Sequence, residues 1–373
     1  MVFWITFFSP LERTYHMLSA RSFILLLIFV LLIPSVSAAP RIRVLLLGQV
    51  TPEHCPAPAW FGYEPMVEYF LVPTKLYFQM TYADAQRQIR VYFPRGKENV
   101  WNIDFFMFIN PYFEPFIPSQ IDDMRMAIVE GGSGAFQSLG GITIDWTNVN
   151  WPWIDSALAP VFPNDPLAYE VWEGQKEGNM PYKVIVNEDP SLPPVLKMFV
   201  PLGIEEVRGY WTIVLIIPQP GATIWARARG AYPKAPEVPP AWLLSWRYGK
   251  GMTWSVADDL DCPWWADTYH PSDQDYGLDI LMNIALHSLG RPLPTDIVLV
   301  NAVRRDFMLY TEKSSTIAAF FDFVERFGVS SSRLLYEKLA VDSIIEEAMG
   351  SYLEGRYEDS LDLAEEAHQA LGD

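Results

Sequence analysis

The alternation of apolar and polar positions divides the chain into a leader, an α/β body and a helical tail. RIRVLLLG (41–48) is a short apolar run closed by glycine and predicts a strand buried on both faces. The turn-forming QVTPEHCPAPAW that follows is expected at its carboxyl end. RQIRVYF (87–93) and IDFFMFIN (103–110) predict two further strands. PSQIDDMRMAIVEGG (118–132) predicts a helix with Ser119 as cap, acids in its first turn, Met124, Ala127 and Ile128 at helical spacing, and a glycine pair at its end. A strand, helix, strand order favours parallel pairing with a right-handed crossover. The segment 142–201 is rich in loops and prolines, and its WTNVNWPW is expected to pack as a surface lid. YWTIVLIIP (210–218) and ATIWARA (222–228) predict strands, and AWLLSWRYGKGMTWSVADD (241–259) predicts a hairpin about Gly249-Lys250-Gly251. In QDYGLDILMNIALHSLG (274–290), Leu278, Leu281, Met282, Ala285 and Leu289 share one face of a helix closed by Gly290. Beyond RPLPTD, STIAAFFDFVERFG (315–328) predicts one helix and 334–371 a helical hairpin turning at Gly355.

Half of the 373 residues are apolar, enough for a full core and, by length, about two domains. The expected division is a leader over 1–39, a main domain over 40–298 and a helical region over 299–373. An unbroken apolar run over 23–33, preceded by Arg21 and followed by SVSAAP, has the layout of a secretory signal. It is short against the roughly 20 residues of a membrane span. A retained signal anchor is the alternative, and Met17 is a second candidate start. Either way the globular part is expected outside the cytoplasm, extracellular or in the cell envelope, with a membrane touched only through that segment. A formal net charge of -18 argues against nucleic acid as a partner. Cys55 and Cys262, the two cysteines, form a disulfide in an exported chain or remain two independent thiols.

Four segments together resemble the class I glutamine amidotransferase-like domains, in their divergent branch: IRVLLLG, EGG leading into SGAFQSLGG, the hairpin LLSWRYGKGMTWSVADDLDCPWW, and the closing helix YGLDILMNIALHSLG. The resemblance spans about residues 41–292. It implies a flavodoxin-like, doubly wound, mostly parallel sheet, with the loops after Gly48, Asn110, Ser138 and Ala257 gathered on one edge. The C-terminal hairpin is similar to a single tetratricopeptide unit, which cannot form a solenoid alone. An active amidotransferase of this class needs an elbow cysteine, and the elbow here shows Ser138 in QSLGG, one glycine short of G-x-S-x-G. Glutaminase activity is therefore not expected.

Three chemistries remain for the site. Ser138, His270 and Asp273 could supply a serine, histidine and aspartate set for a hydrolase or amidase. Asp258, Asp259 and Asp261 form an oxygen-rich cluster suited to calcium or magnesium, or a capped, solvated turn. Trp60, Phe61 and Tyr63 of the first loop and Trp264, Trp265 and Tyr269 beside the acids have the make-up of a sugar site, rings for C–H faces and acids for hydroxyls. A bridge from Cys55 to Cys262 would hold the two loops together. The expected function is an exported, non-catalytic amidotransferase-like domain. It would bind a small polar ligand or glycan through Asp258, Asp259, Trp264, Trp265 and Trp60, or a protein partner, with the helical tail as interaction module. A Ser138 hydrolase and a structural component of the cell envelope are the alternatives.

Overall fold

Seven residues, Ile42–Gly48, form β1 with nearly every side chain buried. The computed structural model describes residues 40–51, 55–74, 80–110, 113–139, 156–165, 170–171, 181–209, 213–230, 238–260, 264–265, 275–328 and 330–371. After β1 come α1 (Ala57–Tyr63), β2 (Val67–Pro73), α2 (Tyr82–Tyr92) and α3 (Lys97–Trp101). Then follow β3 (Phe105–Ile109), α4 (Pro118–Met126) with a single π-turn over Ala127–Gly131, and β4 (Gly134–Ser138). The middle of the chain contributes β5 (Glu170–Val171), β6 (Tyr182–Val186), β7 (Arg208–Gly209), β8 (Val214–Leu215) and β9 (Thr223–Arg229). β10 (Ala241–Tyr248) and β11 (Gly251–Val256) form a hairpin. Four helices close the chain: α5 (Gly277–Ser288), α6 (Ile297–Glu325), α7 (Ser332–Leu353) and α8 (Tyr357–Ala370).

The protein is α/β with a C-terminal helical region. Its sheet has nine strands in the order β2-β1-β3-β4-β11-β10-β9-β6-β7, while β5 and β8 pair separately. From β2 to β11 neighbouring strands are parallel; from β11 outward they are antiparallel. The sheet is thus mixed rather than mostly parallel. The reversal happens at the two-residue turn Gly249-Lys250, where Gly249 adopts φ 63° and a Cβ would lie 2.4 Å from the Val129 carbonyl oxygen. Side chains alternate between two cores. Ile42, Val44, Leu46, Phe105, Met107 and Ile109 face one, and Leu45, Leu47, Phe106 and Phe108 the other.

Several local expectations are corrected. RQIRVYF is not a strand but the end of α2, which starts at a capping box: Thr81 Oγ1 accepts from Asp84 N at 3.2 Å and donates to its carboxylate at 2.6 Å. α4 begins at Pro118, one residue before Ser119, and its first turn is closed by Ile117 N donating to Gln120 Oε1 at 3.1 Å. STIAAFFDFVERFG is the second half of the long α6. The WTNVNWPW lid and the leader lie outside the described residues. The hairpin of α7 and α8 turns at Gly355 with φ 78°, as expected. Pro40–Asp373 is one compact unit that includes the C-terminal helices, and the expected boundary at 298 and 299 falls in the first turn of α6.

Candidate ligand site at the strand carboxyl edge

Because β1, β3, β4 and β11 are mutually parallel neighbours, Gly48, Ile109, Ser138 and Val256 end at one edge. The residues just beyond them build a buried polar knot. Asn110 Nδ2 donates to Gln49 Oε1 at 3.2 Å and to Asp259 Oδ2 at 2.6 Å. Ser138 Oγ donates to the Asp258 carbonyl at 3.1 Å and faces Asp259 Oδ1 at 3.5 Å. The Asp258 carboxylate accepts from the Tyr182 hydroxyl and from Asp259 N, the latter at 2.9 Å. Ser138 and Asp258, 120 positions apart, are thus brought together as expected. Asn110 has φ 43°, the one left-handed non-glycine backbone among the described residues, a strained state that packing must enforce.

Strain therefore sits at Asn110 and not at Ser138. Ser138 ends its strand fully buried, its hydroxyl against the Asp258 carbonyl and, farther off, the Asp259 carboxylate, and no histidine stands beside it among the described residues to serve as the base a nucleophile needs. His270, Asp273, Asp261 and Cys262 lie outside the described residues, and Cys55 is buried. Among the described residues no group of three His, Cys, Asp or Glu side chains is placed to hold a metal ion.

The tryptophans answer differently. Trp264 and Trp265 are 0% and 1% exposed, and both rings pack on Trp242, with centroids 4.4 and 5.6 Å away. The expectation that both offer open faces to a sugar is corrected: those faces are spent on the core. Trp265 nevertheless borders a cavity of about 270 Å³ that Trp60 and Tyr63 of α1 also line. At Gly277 the α5 backbone comes so close that a Cβ would lie 2.5 Å from the Trp60 ring. Asp279 of α5, with Asn301 and Arg304 of α6, supplies the polar wall.

That wall is a buried ion network. Arg304 donates to Glu64 at 2.6 Å, to the Tyr352 oxygen at 2.9 Å and to Asp279 at 2.5 Å. Tyr352 donates to Glu64 at 3.0 Å, and Asn301 Nδ2 to Asp279 Oδ2 at 2.7 Å. Burial pushes the Asp279 carboxyl up, against the pull of Arg304. Burial works against the Arg304 charge too, but Glu64, Tyr352 and Asp279 outweigh it and hold the guanidinium firmly protonated. The Tyr63 hydroxyl is raised by burial and then by Asp279. Glu64, Asp279, Asn301 and Arg304 were not singled out from the sequence. Their signal was polar residues on apolar helix faces: Asn301 and Arg304 lie on the stripe of Ile297, Val300 and Phe307.

No protein-family model and no curated protein matches this chain. Among solved structures it is similar to the cytoplasmic protein STM3548 of Salmonella typhimurium, with 13% identity, 66% of this chain and 99% of that one covered, and a TM-score of 0.44. The cytoplasmic protein STM1381 of Salmonella typhimurium LT2 is similar at 12% identity over 66% and 99%, TM-score 0.41. A cold-adapted β-galactosidase of Rahnella sp. R3 is similar at 15% identity over 69% and 33%, TM-score 0.35. Both Salmonella proteins are described as cytoplasmic, and no helix among the described residues is long and apolar enough to cross a membrane. The description of those two proteins as cytoplasmic stands against the expected extracellular or cell-envelope location, which is withdrawn.

Proposed function

We propose that the chain is an amidotransferase-like, flavodoxin-like domain that binds a small ligand beside its strand carboxyl edge without glutaminase chemistry. The strand order β2-β1-β3-β4-β11 supports the flavodoxin-like reading, being the 2-1-3-4-5 order in which ligands bind where the order reverses, between β1 and β3. The observation that carries the binding role is the cavity. Rings of Trp60 and Tyr63, bordered by Trp265, meet an acid, an amide and a guanidinium in one wall. Such a lining suits a molecule with an apolar face and with both donors and acceptors, such as an amino acid or a single sugar ring. A volume of about 270 Å³ accommodates a ligand of that size. Ser138 in this reading braces the loop after β11.

Calorimetry against a panel of amino acids, glutamine included, and monosaccharides tests the proposal. One class should bind, and Trp60→Ala should weaken it by roughly tenfold or more, the value of a lost ring contact. A panel with no binder, or affinity untouched by Trp60→Ala, would overturn it. Labelling of wild type but not Ser138→Ala by a fluorophosphonate probe would favour the hydrolase instead.

A further inference from the structure

The three C-terminal helices differ in length, and their shared core stops short. Buried residues run from Val300 to Tyr310 on α6 and from Ile345 to Tyr352 on α7, closed by Ala364 and Ala367 of α8. Between 311 and 344, Ser331 is the one buried residue among those described. Yet this stretch is apolar. Phe320, Phe323, Phe327, Leu334, Leu335, Tyr336 and Leu339 are all exposed, Phe327 and Tyr336 to 71% and 77%. The phenylalanines recur at i, i+3 and i+7, on one face. The 15 residues of α6 beyond Tyr310 extend about 22 Å at the helical rise. α7 turns back from it, held at the base by the Tyr310 hydroxyl donating to Asp342 and at the connecting turn by Ser331 donating to Glu325. The result is a two-helix prong with an uncovered apolar face, the kind of surface that marks an interaction site.

We infer that the prong is a homotypic docking surface, packing against the same prong of a second copy in a four-helix arrangement about a two-fold axis. Charge decides the occupant. Residues 311–344 carry four basic and five acidic side chains, a net charge of -1, in a chain whose net charge is -18. Three pairs satisfy one another within their own helices: Arg326 with Asp322 at 2.5 Å, Arg333 with Glu337 at 3.0 Å and Lys338 with Asp342 at 2.8 Å. An anionic lipid surface or a nucleic acid would call for a basic excess, and the prong has none. A second prong, apolar and as nearly neutral, meets it with little charge repulsion. Contact along prongs of about 22 Å also keeps the acidic remainder of each copy beyond the roughly 8 Å screening length of physiological salt.

Sedimentation equilibrium of the full chain tests this. Wild type should show a concentration-dependent dimer. Phe323→Glu with Tyr336→Glu should weaken association roughly 100-fold, as the loss of two interface anchors implies, with helical ellipticity unchanged because both side chains are already exposed. A monomeric wild type, or a variant that dimerises as well as wild type, overturns the inference. So does a monomer that floats with vesicles of phosphatidylcholine and phosphatidylglycerol, which would make lipid the occupant. Should the charged variant lose ellipticity, Phe323→Ser with Tyr336→Ser must still shift the equilibrium to monomer, or the inference fails.

Discussion

An arginine with almost no exposed surface must be matched by other buried groups, and Arg304 is matched by Glu64, Asp279 and the Tyr352 oxygen. Arg304→Met removes the only cation of the network and leaves two buried carboxylates facing one another. The expected loss is about 3–5 kcal/mol, the cost of breaking a buried pair from one side. Urea unfolding measures it. Adding Glu64→Gln to Arg304→Met should recover part of that loss, because one orphaned charge is gone, and a double variant no more stable than the single would show that packing, not charge, sets the cost. Nothing local in the sequence gave this network away, since Glu64 and Arg304 are 240 positions apart and each reads alone as an ordinary solvated charge. Ser138 and Asp258 were legible together for the opposite reason: each ends an apolar run, and the ends of parallel strands meet whatever lies between them.

Among the elements, α5 and the β10–β11 hairpin announce themselves by period and by their closing glycines. α2 does not, because RQIRVYF holds branched and aromatic residues in a window too short to separate the two periods. The deciding signal was the Thr81–Asp84 capping box upstream. β2 was missed because VEYFLVP places its polar and half-buried positions on a strand at the sheet's edge. α5 also carries a titrating group in its last turn. His287 packs edge-on against Trp225 and Trp254, at 5.6 and 6.0 Å, and burial, then Arg247, lowers its pKa below the ordinary 6.5. The folded state therefore binds its proton less readily than the unfolded chain. His287 thus contributes stability that is present above pH 6.5 and is lost as pH falls below 6.5 through the folded value. Melting temperature followed from pH 8 to pH 5 should drop on the acid side, and His287→Gln should flatten that part of the drop; an identical profile in the variant would remove His287 as its cause.

For the whole molecule, the question is whether the C-terminal helices are a separate domain, as the composition shift after RPLPTD suggested. The packing argues for one cooperative unit. Ile297 of α6 belongs to the core under the sheet, Val300 and Phe307 pack with Tyr63 and Met66 of the first crossover, and Arg304 of α6 is tied to α5 by an ion pair and to α7 by a hydrogen bond to Tyr352. The mixed character of the sheet was equally out of reach of the sequence, because pairing direction beyond β10 depends on which distant strand fills the next position. Cooperativity can be read with two probes that see different parts. Thirteen of the 14 tryptophans lie between residues 60 and 265 and none lies beyond, so their fluorescence reports the α/β part, while ellipticity at the helical band is weighted to α6, α7 and α8, the three longest helices among the described residues. In urea the two curves should coincide, as a two-state unit requires. Arg304→Met should separate them, the ellipticity falling first, because the charge that ties the helices to α1 and α5 is gone while the hydrophobic face of the sheet is intact. Curves already separated in the wild type would mean that the buried network does not couple the two parts, and that the tail folds on its own account.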